Sequence, residues 1–366
     1  MLLRLFVLLL FALPAVADEA PAKKGLPQPL TLEAALAIAR ENHPDLDIAA
    51  SEIQQQRSRT LEEVSDAGLQ ASLRLQPQWV KPVEPDTGES TWVEDHFGEI
   101  SVSKRLTDFG HVGALRKGGE ARTKAAVIAL SGLRNRREME VMRLYFDVLI
   151  ADMQAQRDRE AMALSFVTLD KLRNRAELGE VSEVDLLKAE SEYQTIRMTF
   201  YRSESEQSNS RARLAAALNA PGELPSELQT PELNLLDRPV PEYRQILQHL
   251  LQNNDALNQK TLLLESAQQT LKAARSQRYP SISADLAAYA WERKLRRRND
   301  AVAGLRLDVP LFQGGQVKAA IGAAQADLVQ AKADRRKVEL ALYASAMELS
   351  GRLSNLKDEK ESLKTL

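Results

Sequence analysis

The sequence predicts a mainly α-helical fold of long antiparallel coiled-coil hairpins with a small β part, built by internal duplication. Three observations carry that prediction. No proline occurs from Asp86 to Ala220, and Gly179 is the only glycine between Gly132 and Gly222. An interior Gly or Pro costs roughly 1 or 3 kcal/mol, so this interval reads as continuous helix with one interruption. Hydrophobic residues make up 44% of the chain but aromatics only 5%, with 27% charged; that balance favours helices packed through Ala and Leu over large globular cores. Finally, the order helix, strand, strand, helix can be read twice.

Residues 1–17 read as a signal peptide. Arg4 precedes an apolar run from Leu5 to Leu13, then Pro14 and the small-x-small triplet Ala15-Val16-Ala17. The run is too short to span ~30 Å of hydrocarbon, so export with cleavage after Ala17 is expected rather than anchoring. Residues 18–29, with three prolines and two lysines, form an extended lead-in.

The first repeat covers residues 30–218. Leu30-Thr-Leu-Glu-Ala-Ala-Leu-Ala-Ile-Ala-Arg40 is a short amphipathic helix, stopped at Asn42-His43, and Pro44 suits the first position of the next helix. Leu46, Ala50, Ile53, Thr60 and Val64 follow on alternating four- and three-residue steps, a coiled-coil spacing with Arg57 as its polar break. The period then becomes two in Ser72-Leu-Arg-Leu-Gln76 and Glu99-Ile-Ser-Val-Ser-Lys104, predicting strands over about 69–80 and 96–106. Between them lies a polar loop with Glu84, Asp86, Glu89, Glu94 and Asp95. Helix resumes after Asp108-Phe-Gly110, with Val141, Leu144, Tyr145 and Val148 on its buried face. Gly179 suits the left-handed position that ends a helix, and Ser182-Glu-Val-Asp185 has the capping-box form that starts another. The pair predicts a tight hairpin tip at 178–186.

Residues 219–241, with five prolines, read as a linker, and the second repeat fills 242–366. Asn253-Asn-Asp-Ala-Leu257 echoes Asn42-His-Pro-Asp-Leu46, and Leu257, Thr261, Leu264 and Leu271 repeat the earlier spacing. Strands are predicted over about 281–291 and 301–310, around a loop holding Arg293, Lys294, Arg296, Arg297 and Arg298. Leu311-Phe-Gln-Gly-Gly315 stands where Leu106-Thr-Asp-Phe-Gly110 stood before, and a Pro-free helix follows. Repeat one runs from Gly110 up to a tip and back to Asn219, whereas Gly315 to Leu366 has room for part of one arm, so an incomplete helix is expected there.

Several function classes find no support. A net charge of −2 gives no sign of a nucleic-acid partner. Cysteine is absent, which excludes disulfides and a lipidated cysteine. His43, His96, His111 and His249 have no ligand spacing, so no metal, cofactor or His-based catalysis is expected. The carboxylates Glu177, Glu180, Glu183 and Asp185 suit a solvated turn better than acid–base work, and no enzyme is predicted.

Leu30-Thr-Leu-Glu-Ala-Ala-Leu-Ala, Asn42-His-Pro-Asp-Leu46, Asp108-Phe-Gly110 with its counterpart Leu311-Phe-Gln-Gly-Gly315, and Glu177-Leu-Gly-Glu-Val-Ser-Glu-Val-Asp-Leu-Leu187 together resemble the TolC-like outer-membrane efflux protein family. The resemblance spans essentially the whole mature chain. It implies a homotrimer in which each protomer gives four strands to one barrel in outer-membrane lipid, its helices continuing through the periplasm. Four strands cannot close alone, and an open edge in lipid leaves backbone groups unpaired.

It further implies a passive conduit of a tripartite efflux or type I secretion system, powered by an inner-membrane pump. The tip, here Gly179, Glu180, Ser182, Asp185 and Leu186, would dock on a periplasmic adaptor. Asp108, Gly110, Gly314 and Gly315 would form the strand-to-helix turns. Glu84, Asp86 and Glu89 would lie in one extracellular loop and Arg296, Arg297 and Arg298 in the other; the two loops either stay independently solvated or pair with each other, or the arginines bind outer-leaflet phosphates. The family's second tip carries gating residues that have no counterpart here. A periplasmic coiled-coil scaffold or adaptor without a pore is the alternative; it explains the helices but not four paired alternating segments.

Overall fold

The computed structural model describes residues 26–41, 43–81, 83, 90–222, 227–232, 239–291 and 300–364. The expected signal peptide and the loop residues Glu84, Asp86, Glu89, Arg296, Arg297 and Arg298 lie outside the described residues.

The first repeat opens with α1 (Leu32–Glu41) and α2 (Pro44–Ser65). His43 caps α2 by accepting from the Asp45 N–H, and Pro44 occupies the first turn, where its missing N–H costs nothing. The second repeat does the same with different chemistry. Asn254 accepts from the Leu257 N–H at 3.0 Å to start α6 (Asp255–Ser276), which follows α5 (Tyr243–Asn253). Leu46 and Leu257, the matching leucines of the two echoes, are both buried.

The expected seam of α2 is out of phase in part. Leu46, Ile53, Thr60 and Val64 face inward, but Ala50 and Arg57 are exposed, and Ala49 and Gln56 take their places. Positions i+3 and i+4 flank the same helix face, and the neighbouring element decides which one is covered. Here that element is α3 (His111–Glu177): a Cβ on Gly119 would stand 2.2 Å from Thr60 Oγ1, so glycine permits the close approach at that point.

Four strands form one antiparallel sheet in the order β1 (Leu69–Gln76), β4 (Phe97–Thr107), β5 (Ser281–Trp291), β6 (Ala301–Asp308). Both repeats thus contribute a hairpin, and β4 pairs β5 across the duplication. The strand expected over 69–80 breaks at Pro77, which cannot donate to a ladder, and resumes as β2 (Trp79–Val80). It pairs with β3 (Val93–Glu94), a small ribbon within what the sequence suggests is loop. The strand expected to reach residue 310 ends at Asp308, two residues before Pro310.

The chain divides into two compact units, Met1–Ala35 with Leu144–Pro231, and Leu36–Arg143 with Glu232–Leu366. The second holds the sheet and packs α6 on α7 (Gln316–Lys364) through Leu271, Ala274, Ile321 and Ala324. The first holds α3 from Leu144 onward and α4 (Glu183–Ala217), with Tyr145, Leu169, Leu214 and Leu218 fully buried. Val141, Leu144, Tyr145 and Val148 are all buried, as their spacing suggests. In the first unit Leu30 bridges Leu228 in parallel, and the Tyr145 hydroxyl lies 2.8 Å from the Leu30 carbonyl and 2.6 Å from that of Gln229.

Candidate functional site

The sheet has two chemically distinct faces. Register places Leu69, Ala71, Leu73 and Leu75 of β1 level with Lys104, Val102, Ile100 and Gly98 of β4. Across the next ladders these meet Ala284, Leu286, Ala288 and Ala290 of β5, then Leu305, Ala303 and Ala301 of β6. Lys104 is the only charged residue on this face among the described strands, and it stands near the β4 end. The opposite face is polar. Ser72 and Ser101 share a hydrogen bond at 2.8 Å, Arg74 pairs with Glu99 at 3.1 Å, and Arg306 with Asp285 at 3.2 Å. Phe97 and Tyr289 stack on it at 6.2 Å between ring centres. One apolar face and one polar face on strands of 8 to 11 residues is the pattern of a membrane barrel wall. No described helix is long and apolar enough to cross a membrane.

The strand-to-helix turns sit at the foot of this sheet. Phe109 and Gly110 take φ of 53° and 95°, and Gly314 and Gly315 take 56° and 87°, so the duplicated motifs share a left-handed pair. A Cβ at Gly110, Gly314 or Gly315 would meet nothing within 4 Å, so backbone conformation rather than crowding favours glycine. Asp108 caps α3, accepting from the Gly110 and Val112 N–H groups at 3.2 and 3.0 Å. An open cleft of about 460 Å³ lies between the turns, lined in part by Arg105, Asp108, His111, Tyr279, Asp308 and Gln316. His111 Nδ1 donates to the Ala273 carbonyl at 2.8 Å, since a carbonyl can only accept. No group of three His, Cys, Asp or Glu among the described residues is placed to hold a metal ion.

The hairpin tip belongs to the other unit. Gly179 has φ +75°; its N–H donates to the Ala176 carbonyl and that of Glu180 to the Arg175 carbonyl, both at 2.9 Å. These two bonds are the Schellman closure of a helix end. Asn219, with φ 55° and the same pair of bonds, closes α4 in the same way. Ser182 Oγ accepts from the Asp185 N–H at 3.1 Å and donates to the Asp185 carboxylate at 2.6 Å. The capping box is therefore only half formed, because Asp185 bonds the serine hydroxyl instead of reaching back to the serine N–H. Glu180 pairs with Arg175 at 3.2 Å. Leu186 is half-buried, whereas Leu178, Val184 and Leu187 are 75%, 61% and 58% exposed. Those three leave an apolar rim at the tip that the sequence motif alone does not single out.

Residues 246–364 match the model of the outer membrane efflux protein family. The cobalt-zinc-cadmium resistance protein CzcC of Cupriavidus metallidurans is 26% identical over 303 residues, covering 82% of this chain and 68% of CzcC. Over these stretches the chain is similar to the outer-membrane efflux proteins. Its fold is that of solved outer-membrane channels. CusC, described as forming a transmembrane channel, superposes with a TM-score of 0.75 at 18% identity over 91% of this chain and 77% of that one. The Campylobacter jejuni CmeC outer membrane channel gives 0.75 at 16% identity over 96% and 79%.

The TolC-like family is a channel and transport family rather than an enzyme class, acts in the outer membrane with a periplasmic extension, and works with periplasmic adaptors and inner-membrane pumps. An efflux channel therefore fits this chain better than a scaffold without a pore.

Proposed function

We propose that this chain is the outer-membrane channel of a tripartite efflux or type I secretion system. It is a passive conduit, assembled as a homotrimer in outer-membrane lipid and docked on a periplasmic adaptor by the tip residues Gly179, Glu180, Ser182, Asp185 and Leu186. The observation that carries this reading is the sheet: one face apolar, the other polar, with β1 and β6 at its outer edges. Each outer edge carries a row of backbone groups that must be paired in lipid. All three ladders are antiparallel, so β6 of one copy meets β1 of the next in antiparallel order. Repetition about an axis then closes a barrel with the apolar face outward. Similarity to CzcC favours divalent metal cations as the cargo.

Cysteine scanning tests the assignment, because the chain has no cysteine of its own. Ser72→Cys and Ser101→Cys should react with a charged methanethiosulfonate and lose single-channel conductance in planar bilayers. Leu73→Cys and Ile100→Cys should not. Equal reactivity on both faces, or no channels at all, would overturn it.

A further inference from the structure

The polar face carries Arg74, Arg105 and Arg306 against Glu99, Asp285 and Asp308, so its formal charges cancel. Four of the six form two cross-strand pairs in separate ladders: Arg74 on β1 with Glu99 on β4, and Asp285 on β5 with Arg306 on β6. In each pair the carboxylate is the sheltered partner. The Glu99 and Asp285 side chains are 17% and 28% exposed, while those of Arg74 and Arg306 are 68% and 64% exposed. Each wall carboxylate therefore sits beneath a guanidinium that faces open space. Exposed pairs of this kind add little to stability, so stability does not account for their placement.

We propose that the pairs Arg74–Glu99 and Asp285–Arg306 set the charge selectivity of the barrel, keeping its wall balanced so that cations and anions pass alike. The proposal rests on the reading that the polar face lines the pore. A neutralised pair acts on a passing ion as a dipole, whose field falls off faster than that of a single charge. Deleting one carboxylate in a trimer would unmask three guanidiniums at one level, and rings of like charge are how pores select ions. Three like charges at one level of the pore, reduced by screening, should shift the permeability ratio about three- to tenfold.

The test is the reversal potential of the purified full chain in planar bilayers under a KCl gradient. The unmodified protein should show a chloride-to-potassium permeability ratio near one. Glu99→Gln and Asp285→Asn should each turn the channel anion-selective, and Arg74→Gln and Arg306→Gln cation-selective. The exchanged pair Arg74→Glu with Glu99→Arg should restore the ratio, which guards against a variant that merely folds badly. Unchanged ratios in Glu99→Gln and Asp285→Asn would overturn the proposal, as would strong selectivity in the unmodified channel. If Ser72→Cys and Ser101→Cys still block under reagent while those ratios stay fixed, the pore assignment survives and the selectivity role alone fails.

Discussion

The Tyr145 hydroxyl bonds the carbonyl of Gln229 at 2.6 Å and so ties α3 to the segment that follows α4. The same hydroxyl lies 2.8 Å from the Leu30 carbonyl, which already accepts from the Gln229 N–H at 3.0 Å. One phenolic proton is shared between two carbonyls at a fully buried ring. Burial pushes the Tyr145 pKa up, because a phenolate in this position would lose its solvation.

Tyr145→Phe should therefore cost about 1–3 kcal/mol, the cost of leaving the Gln229 carbonyl without its donor. The loss should be local, read as faster hydrogen exchange across residues 227–231. A pH effect follows with a definite sign. Since the folded state holds the phenol proton more tightly than the unfolded chain does, this contribution is complete below the ordinary tyrosine pKa. It declines as pH rises above that value. Relative to the intrinsic base-catalysed rate, wild-type protection in that segment should fall in the alkaline range, and the Phe variant should lack that fall.

Gly119 and Thr60 give a second outcome. An added Cβ would lie 2.2 to 2.7 Å from three Thr60 side-chain atoms, so Gly119→Ala should lose roughly 1–3 kcal/mol by overpacking. Thr60→Ala removes the two nearest atoms and should restore part of that loss. Thermal unfolding of the single and double variants measures the coupling, and additive effects would show that the two helices do not meet there.

How much of this was legible in the sequence depended on whether a feature was local. The tip, the duplicated turns and the strand hairpins show in the sequence because Gly179, Gly110, Gly315 and the period-two runs each act within a few residues. The β2–β3 ribbon did not show, because Pro77 and the loop composition mask a two-residue pairing of Trp79–Val80 with Val93–Glu94. The phase of α2 failed for another reason. Ala49 and Ala50 are equivalent by composition, and only the approach of Gly119 to Thr60 in space chooses between faces. The bonds from Tyr145 to Leu30 and Gln229 are beyond any local pattern, since their partners are 115 and 84 residues away.

At the tip, Gly179→Val should weaken adaptor docking. No atom lies within 4 Å of a new Cβ, so the cost is backbone alone, about 1–2 kcal/mol in the left-handed region and more for a β-branched residue. Ser182→Ala should remove about 1 kcal/mol of capping and loosen the start of α4. Photocrosslinking from position Glu180 to the adaptor in cells is the measurement. Normal capture and efflux in Gly179→Val would show that docking does not need this turn.

Charge on the apolar face should be tolerated by depth. Lys104 stands level with Leu69 and three residues from the β4 end at Thr107, where its long stem can carry the ammonium to the membrane interface. Val102, Ala71 and Leu286 share a level nearer the middle of the strands. A lysine at the bilayer midplane of a barrel costs about 2–4 kcal/mol, falling to about 0–1 kcal/mol near the interface. Val102→Lys and Leu286→Lys should therefore impair folding into lipid vesicles, while Leu69→Lys should fold nearly as the wild type does. Urea titration of folding into vesicles orders the three variants directly. If Leu69→Lys were as damaging as Leu286→Lys, the Lys104 level would lie deep in hydrocarbon, and the placement of the strand ends at the interface would be wrong.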